Sequence, residues 1–179
     1  MIACETDIRW FAMRATYGRN LMVQRLLEMN KIESFVPMRK RTTKSGHRIK
    51  TDLIPVVRDL IFVHDKRENI QEIKGKISYL HYITTPSGER NIPVEVPDEQ
   101  MHQFMAVCNE IDDSAEIFAD GEPLFKVGER VRVTGGAFKG CEGQLVKIEG
   151  KRSKRFVVSI EGIIAVAVSG ITAENIEKI

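Results

Sequence analysis

The sequence predicts an α+β chain made of two small domains, an antiparallel sandwich of strands and helices followed by a five-stranded barrel. Three observations predict it. Strand and helix periodicities alternate through residues 9–108, short β-branched strands separated by glycines fill residues 127–168, and an acidic strip lies between the two blocks. The net charge of +2 hides this order: residues 1–108 carry 17 Lys/Arg against 13 Asp/Glu, residues 109–123 six acids and no base, and residues 124–179 ten bases against six acids. A run of like charge repels itself and stays solvated, so residues 109–123 are expected to be an acidic linker between domains at 7–108 and 124–179.

The elements follow in order. Residues 9–15 (RWFAMRA) place strand-forming aromatics in rough alternation, and Gly18 breaks the pattern. Met22, Leu26 and Met29 recur at helical spacing with Val23 and Leu27 beside them, which predicts an amphipathic helix over 19–29 whose Met/Leu stripe packs in the core. Residues 33–38 resume an extended pattern limited by Pro37. Residues 39–50 (RKRTTKSGHRIK) hold six Lys/Arg and no acid, with a turn signal at Ser45-Gly46, and predict a hairpin arm or loop with a basic tip. Residues 53–63 (LIPVVRDLIFV) give one or two strands, residues 67–74 a short helix, and residues 79–84 a strand closed by the Pro86-Ser87-Gly88 turn. Pro97-Asp98-Glu99 opens a further helix, with proline and acids in the first turn where the missing N–H and the helix dipole suit them, and Met101, Phe104, Met105 and Cys108 forming its buried face.

Beyond the strip, residues 127–133 (VGERVRV) alternate, with Arg130 and Arg132 outward when Val131 and Val133 point in. Glycines at 135, 136, 140 and 143 precede strands at 144–148, 156–160 and 163–168. Val131, Val133, Val157, Val158, Val166 and Val168 give this block strong β character, so a stable β fold is expected rather than a refolding helical hairpin.

Composition narrows the function. Hydrophobic residues are 42% and charged residues 29%, enough apolar matter for a core, and the longest apolar run, IIAVAV at 163–168, is far short of the roughly 18–20 residues of a membrane span. The first ten residues lack the basic-then-apolar layout of a signal peptide, so a cytoplasmic protein without membrane association is expected. Cys4, Cys108 and Cys141 are odd in number and far apart, which predicts plain thiols rather than a disulfide or metal framework. His47, His64, His81 and His102 form no metal-binding spacing, and no phosphate-cradling glycine loop or nucleophile elbow occurs. Asp112-Asp113 falls in the strip, where no pocket would raise a pKa. No catalytic residue, metal or cofactor is expected.

The stretch at 127–148, VGERVRVTGGAFKGCEGQLVKI, resembles a KOW motif. A tryptophan-led strand (WFAMRATYGRN at 10–20), an amphipathic helix, a basic hairpin and the strand LIFV, joined by an acidic linker to that motif, resemble the layout of the NusG family of transcription elongation factors over roughly residues 8–179. The resemblance implies a NusG-type N-terminal domain and an SH3-like KOW barrel. It implies a non-enzymatic monomer that docks on the clamp of RNA polymerase and suppresses pausing or termination. By the resemblance, Leu60 and Phe62 occupy the positions of the family's polymerase-docking residues. Alternation puts them on one strand face, which can form an exposed apolar patch while Ile61 and Val63 fill the core; the ordinary alternative is that both faces are buried. Arg58-Asp59 stands where the housekeeping factors carry Pro-Gly, and residues 68–72 (ENIQE) lack the His-Thr-Thr-Thr stretch of RfaH. These departures point to a specialised paralogue, most similar to the UpxY-type antiterminators of capsular polysaccharide operons. In the family, the loop bearing Phe138 and Lys139 contacts Rho or a small-subunit ribosomal protein; the alternative is turn packing.

Two regions are candidates for nucleic acid, with non-template or upstream DNA, or nascent RNA, as partner. The arm supplies Arg39, Lys40, Arg41, Lys44, Arg48 and Lys50 for phosphates, without an interleaved aromatic for stacking. Arg14, Tyr17, Arg19 and Asn20 can supply stacking and hydrogen bonds, and in RfaH-like proteins this region reads the non-template strand. For both, a solvated basic face is the ordinary alternative. The rival function is a KOW-type RNA-binding protein associated with ribosomes, using Lys151, Arg152, Lys154 and Arg155.

Overall fold

The computed structural model describes residues 7–119 and 128–179. In chain order the elements are β1 (Ile8–Ala15), a 3-10 turn (Thr16–Gly18), α1 (Asn20–Met29), β2 (Glu33–Phe35), β3 (Met38–Ser45) and β4 (Arg48–Pro55). There follow β5 (Leu60–Lys66), α2 (Arg67–Lys76), β6 (Leu80–Tyr82), β7 (Thr84–Ser87), β8 (Arg90–Pro93), β9 (Glu95–Val96) and α3 (Asp98–Cys108). Last come β10 (Glu116–Ala119), β11 (Glu129–Val133), β12 (Glu142–Val146), β13 (Arg155–Ile160), β14 (Ile164–Val168), another 3-10 turn (Ala173–Asn175) and β15 (Ile176–Lys178). The class is α+β, as expected. The chain separates into two compact units, one made of the residues up to Pro37 with Val57–Met101, the other of Met38–Val56 with His102–Ile179. The basic arm therefore groups with the C-terminal residues, a division different from the expected 7–108 and 124–179.

The first unit is built on an antiparallel sheet in the order β2-β5-β1-β6, with β9 also on β1. β1 and β5 pair along their length, with Phe11 opposite Val63, Ala12 opposite Phe62 and Met13 opposite Ile61. On the other edge of β1, β6 takes Met13, Arg14 and Ala15 while β9 takes Trp10 and Phe11. Between them the β7–β8 ribbon leaves the sheet, closed at its base where Val94 N–H donates to Ile83 O at 2.9 Å. That ribbon extends the predicted 79–84 strand into a hairpin. Trp10 is buried and stacks on His64, with ring centroids 4.5 Å apart, and His64 Nδ1 lies 2.6 Å from Glu33 Oε2, tying β2 to β5.

α1 forms where predicted but turns another face inward. Val23 and Leu27 are fully buried, whereas Met22 and Met29 are exposed and Leu26 is half-buried. With Asn20 also buried, the inward face reads 20, 23 and 27, a stripe one residue round from the expected methionines. The two exposed methionines leave the core reading of that stripe incorrect. In α3, Met101, Phe104 and Cys108 are buried as expected, Val107 joins them, and Met105 is half-buried.

In the second unit, β3 and β4 form a two-stranded ribbon from Met38↔Pro55 to Ser45↔Arg48. Its two loop residues are Gly46 and His47, and only the first has positive φ (60°), the signature of a II′ turn, for which glycine is the natural first residue. The remaining strands make a six-stranded antiparallel sheet in the order β10-β14-β13-β12-β11-β15. Five of these strands lie in 128–179, the number expected. The sixth is β10, which covers the free edge of β14, and among the described residues no ladder joins either β14 or β10 to β15, so the expected closed five-stranded barrel is an open six-stranded sheet instead.

β10 corrects the linker. Residues 109–123 were expected to be solvated, yet Ile111 and Ala115 are buried and residues 116–119 pair with β14, Ile117 opposite Val166 and Phe118 opposite Ala165. Glu116 is neutralised by bases distant in sequence: it accepts from Arg155 Nε at 3.2 Å and lies 3.3 Å from Lys151 Nζ. Burial works against its charge, but those two cations hold the carboxyl below the usual range. Asp120, Glu122 and the rest of 120–127 lie outside the described residues, as does Cys4.

Candidate nucleic-acid interface

At the end of β1 the chain turns sharply. Tyr17 (φ 63°) and Gly18 (φ 69°) both adopt left-handed backbone, and Tyr17 is 80% exposed as a result. Arg19 lies over two rings, with its guanidinium carbon 5.5 Å from the Tyr17 centroid and 4.5 Å from that of Tyr79. Tyr79 O–H in turn reaches Met22 Sδ at 3.4 Å. The Arg58-Asp59 pair occupies this same corner. Asp59 Oδ2 accepts from Arg14 Nη1 at 3.1 Å, and the Arg58 side chain crosses Gly18 so closely that a Cβ there would stand 2.8 Å from Arg58 Nε. That flexible side chain could shift to admit a Cβ, and what favours glycine at 18 is its left-handed backbone. The pair thus has a local fit: Asp59 anchors β1 and Arg58 crosses a residue without a side chain.

Of the four residues expected here, Tyr17 and Arg19 are presented to solvent and Arg14 is half-buried in its ion pair. Asn20 is not presented. It is 1% exposed, and its Nδ2 donates to Val57 O and Leu60 O, both at 3.2 Å, so it holds the β5 approach rather than a ligand. Tyr79, Met22 and Arg58 were not anticipated as members. Tyr79 is far from Arg19 in sequence and carries no local signal, whereas Arg58 had one in the Pro-Gly replacement.

Alternation sorts the arm into two faces. Arg39, Arg41, Arg48 and Lys50 share one face, as the pairing of Arg39 with Ile54, Arg41 with Asp52, Thr43 with Lys50 and Ser45 with Arg48 requires. Lys40 and Lys44 lie on the other with Leu53 and Ile49, which are 64% and 68% exposed. Residues 41–50 are all exposed. Lys50 Nζ is 2.9 Å from Asp52 Oδ1, and Arg39 is engaged by Asp113 from the acidic strip.

The apolar strand behaves differently. Leu60 is 3% exposed, Phe62 0%, and Ile61 and Val63 are equally buried. The expected exposed face on β5 is absent, because β5 has a strand on each side and covered faces above and below. On the other unit, the loop at 134–141 closes through Gly140 N–H donating to Val133 O at 2.7 Å, with Gly136 and Gly140 in left-handed backbone. It presents Phe138 half-buried and Lys139 exposed. Of the four bases proposed for RNA, Lys151 and Arg155 are committed to Glu116. Among the described residues no group of His, Cys, Asp and Glu is arranged to hold a metal, and no helix is long and apolar enough to cross a membrane.

Burial pushes the Cys108 thiol up to about 12, and Cys141 upward too, by burial first and then by the charge of Glu110. The thiolate is the nucleophile, so Cys108 is expected to resist iodoacetamide in the native protein at pH 8 and to react once the chain is unfolded. Peptide mass mapping checks this, and rapid native labelling of Cys108 would contradict its burial.

One unit is a sheet with helices and an exposed basic corner, and the other joins a basic ribbon to glycine-looped strands; chains that match both parts are transcription factors. The comparisons give the particular family: the model described as NusG, transcription termination factor nusG, matches residues 8–105, which is 98 of 179 residues, and the KOW motif matches 127–161. The chain belongs to the NusG family, whose members are transcription factors that bind RNA polymerase. It is 28% identical over 152 residues to the transcription termination/antitermination protein NusG of Borreliella burgdorferi, covering 84% of this chain and 77% of that protein. A solved structure on domain interaction in Thermotoga maritima NusG aligns over 96% of this chain and 97% of that one, with 18% identity and a TM-score of 0.48.

Proposed function

We propose that this chain is an operon-specific antiterminator of the UpxY type, which docks on the RNA polymerase clamp in the cytoplasm and suppresses pausing or termination at long operons. The observation that carries the reading is the corner of exposed Tyr17 and Arg19 with half-buried Tyr79 on a NusG-type unit, beside the Arg58-Asp59 pair. A base stacked on Tyr17 and a phosphate on Arg19 or Arg58 would let the factor grip single-stranded DNA exposed by the polymerase. The arm adds phosphate contacts through Arg41 and Arg48. Leu60 and Phe62 serve as docking residues in this reading only if binding uncovers them. The strands of 128–179 hold the loop that meets Rho or a small-subunit ribosomal protein through Phe138 and Lys139.

Transcription in vitro with purified polymerase, on a template carrying a pause and a terminator, tests this. The full chain is expected to lengthen transcripts. The Tyr17→Ala/Arg19→Ala variant, altered only at exposed positions, is expected to weaken that effect about fivefold or more, as loss of one stacked base implies. A chain that neither binds polymerase nor changes the transcript pattern defeats the proposal, and capture of ribosomal subunits without polymerase favours the ribosome-associated RNA-binding alternative.

A further inference from the structure

The acidic strip lies along the outer edge of β3. Lys40 N–H donates to Ile111 O at 3.2 Å, and Lys40 and Asp112 form a parallel bridge. Two residues on, Thr42 N–H donates to Asp113 Oδ2 at 3.1 Å, while Asp113 Oδ1 stands 3.9 Å from Arg39 Nε. The two aspartates have separate tasks. Asp112 Oδ1 accepts from Ser114 N–H at 2.8 Å and Ser114 O–H at 2.6 Å, so its carboxylate shapes the turn at 112–115. Asp113 reaches out of that turn to the arm.

A backbone N–H and a guanidinium converging on one anion form the donor set that proteins use for phosphate oxygens. Asp113 fills it incompletely. Arg39 Nε is buried without a hydrogen-bond partner, because the carboxylate oxygen at 3.9 Å is beyond bonding range. A phosphate, with more acceptor oxygens on a tetrahedral centre, could bond both donors. Arg41, Arg48 and Lys50 continue the same face and could take the neighbouring phosphates of a strand.

We infer that Asp113 is a displaceable plug on a phosphate-binding edge of the β3–β4 arm, so that the acidic strip and nucleic acid compete for Thr42 N–H and Arg39. This rests on the reading of the arm as a nucleic-acid surface. Displacement is local: Ile111 is buried on one side of the turn and β10 is paired on the other, so the plug moves by a swing of the Asp113 side chain while the strip stays seated. The arm is then screened from non-specific polyanions and opened only by a strand that also satisfies Arg41 and Arg48.

The test is fluorescence anisotropy of the full chain against a labelled mixed-sequence DNA single strand and its duplex, over a range of salt. Asp113→Asn keeps the side-chain shape and removes the charge, and is expected to tighten binding about two- to fivefold at low salt, the scale of one exposed ion pair. Glu161→Gln, at an exposed turn in the same unit, controls for net charge and is expected to have less than half that effect. Arg41→Ala/Arg48→Ala is expected to weaken binding in either background and to flatten the salt dependence by about two counterions. On binding, the Thr42 amide is expected to stay protected and exchange at 112–115 to stay unchanged, since only the Asp113 side chain moves and the turn amides are held by Asp112. If Asp113→Asn matches Glu161→Gln while the arm variants still weaken binding, the plug is wrong and the arm reading stands. If no variant alters binding, or none binds, the arm reading falls and the plug with it.

Discussion

Phe62→Ala is expected to cost about 3–5 kcal/mol of stability, the range for removing a fully buried aromatic ring. Phe62 sits in the central ladder of the first unit, opposite Ala12 on β1 and Phe35 on β2, with no surface of its own exposed. Urea unfolding followed by Trp10 fluorescence measures the loss directly, since Trp10 is the single tryptophan and lies two residues from Ala12 on β1. A loss below about 1 kcal/mol would mean that the ring is not a core group. The more drastic Phe62→Asp would place a carboxylate among apolar side chains without a partner, and no folded first unit is expected. Failure of such a variant to hold polymerase would therefore report unfolding rather than a lost contact. Variants at exposed Tyr17 and Arg19 separate the two.

Gly143→Val is expected to destabilise the second unit by about 3 kcal/mol. A Cβ at Gly143 would stand 2.5 Å from Val157 O and 2.8 Å from Phe156 Cε2. One neighbour is backbone in the adjacent strand β13, and the other is a ring that is 1% exposed, so neither can retreat without opening the β12–β13 ladder. Hydrogen exchange of the β12 and β13 amides is the direct readout, with protection expected to fall by about two orders of magnitude for that loss under exchange from the globally unfolded state. Unchanged protection would show that the sheet has room at this position. Glycine here serves close packing and not backbone freedom, as it has no positive φ.

Much of this was legible in the sequence because it depends on local pattern. Alternation in RWFAMRA and VGERVRV, and the Ser45-Gly46 turn signal, lead directly to β1, β11 and the arm. What escaped depends on partners far along the chain. Six acids without a base read as solvated, yet Glu116 finds Arg155 and Lys151, and Ile117 and Phe118 find β14, none of which a local window contains. Asn20 looked like a polar surface residue because its acceptors, Val57 O and Leu60 O, belong to another element. The Met22/Met29 stripe and the Val23/Leu27 stripe have the same period, so periodicity alone could not choose the inward one. For the candidate site, residue types marked Tyr17 and Arg19, while Tyr79 joined them only through folding.

The pairing of β10 with β14 also bears on how this protein stays unaggregated. β14 reads Ile-Ala-Val-Ala-Val and is buried at every position. Stripped of its neighbour, it would present a row of free amides and carbonyls flanked by greasy β-branched side chains, the template on which foreign strands add. Four residues from the acidic strip occupy that edge and carry charge at Glu116 beside it. A fragment cut to begin at 124 would discard this guard, and its stickiness would then be a property of the cut, not of the protein.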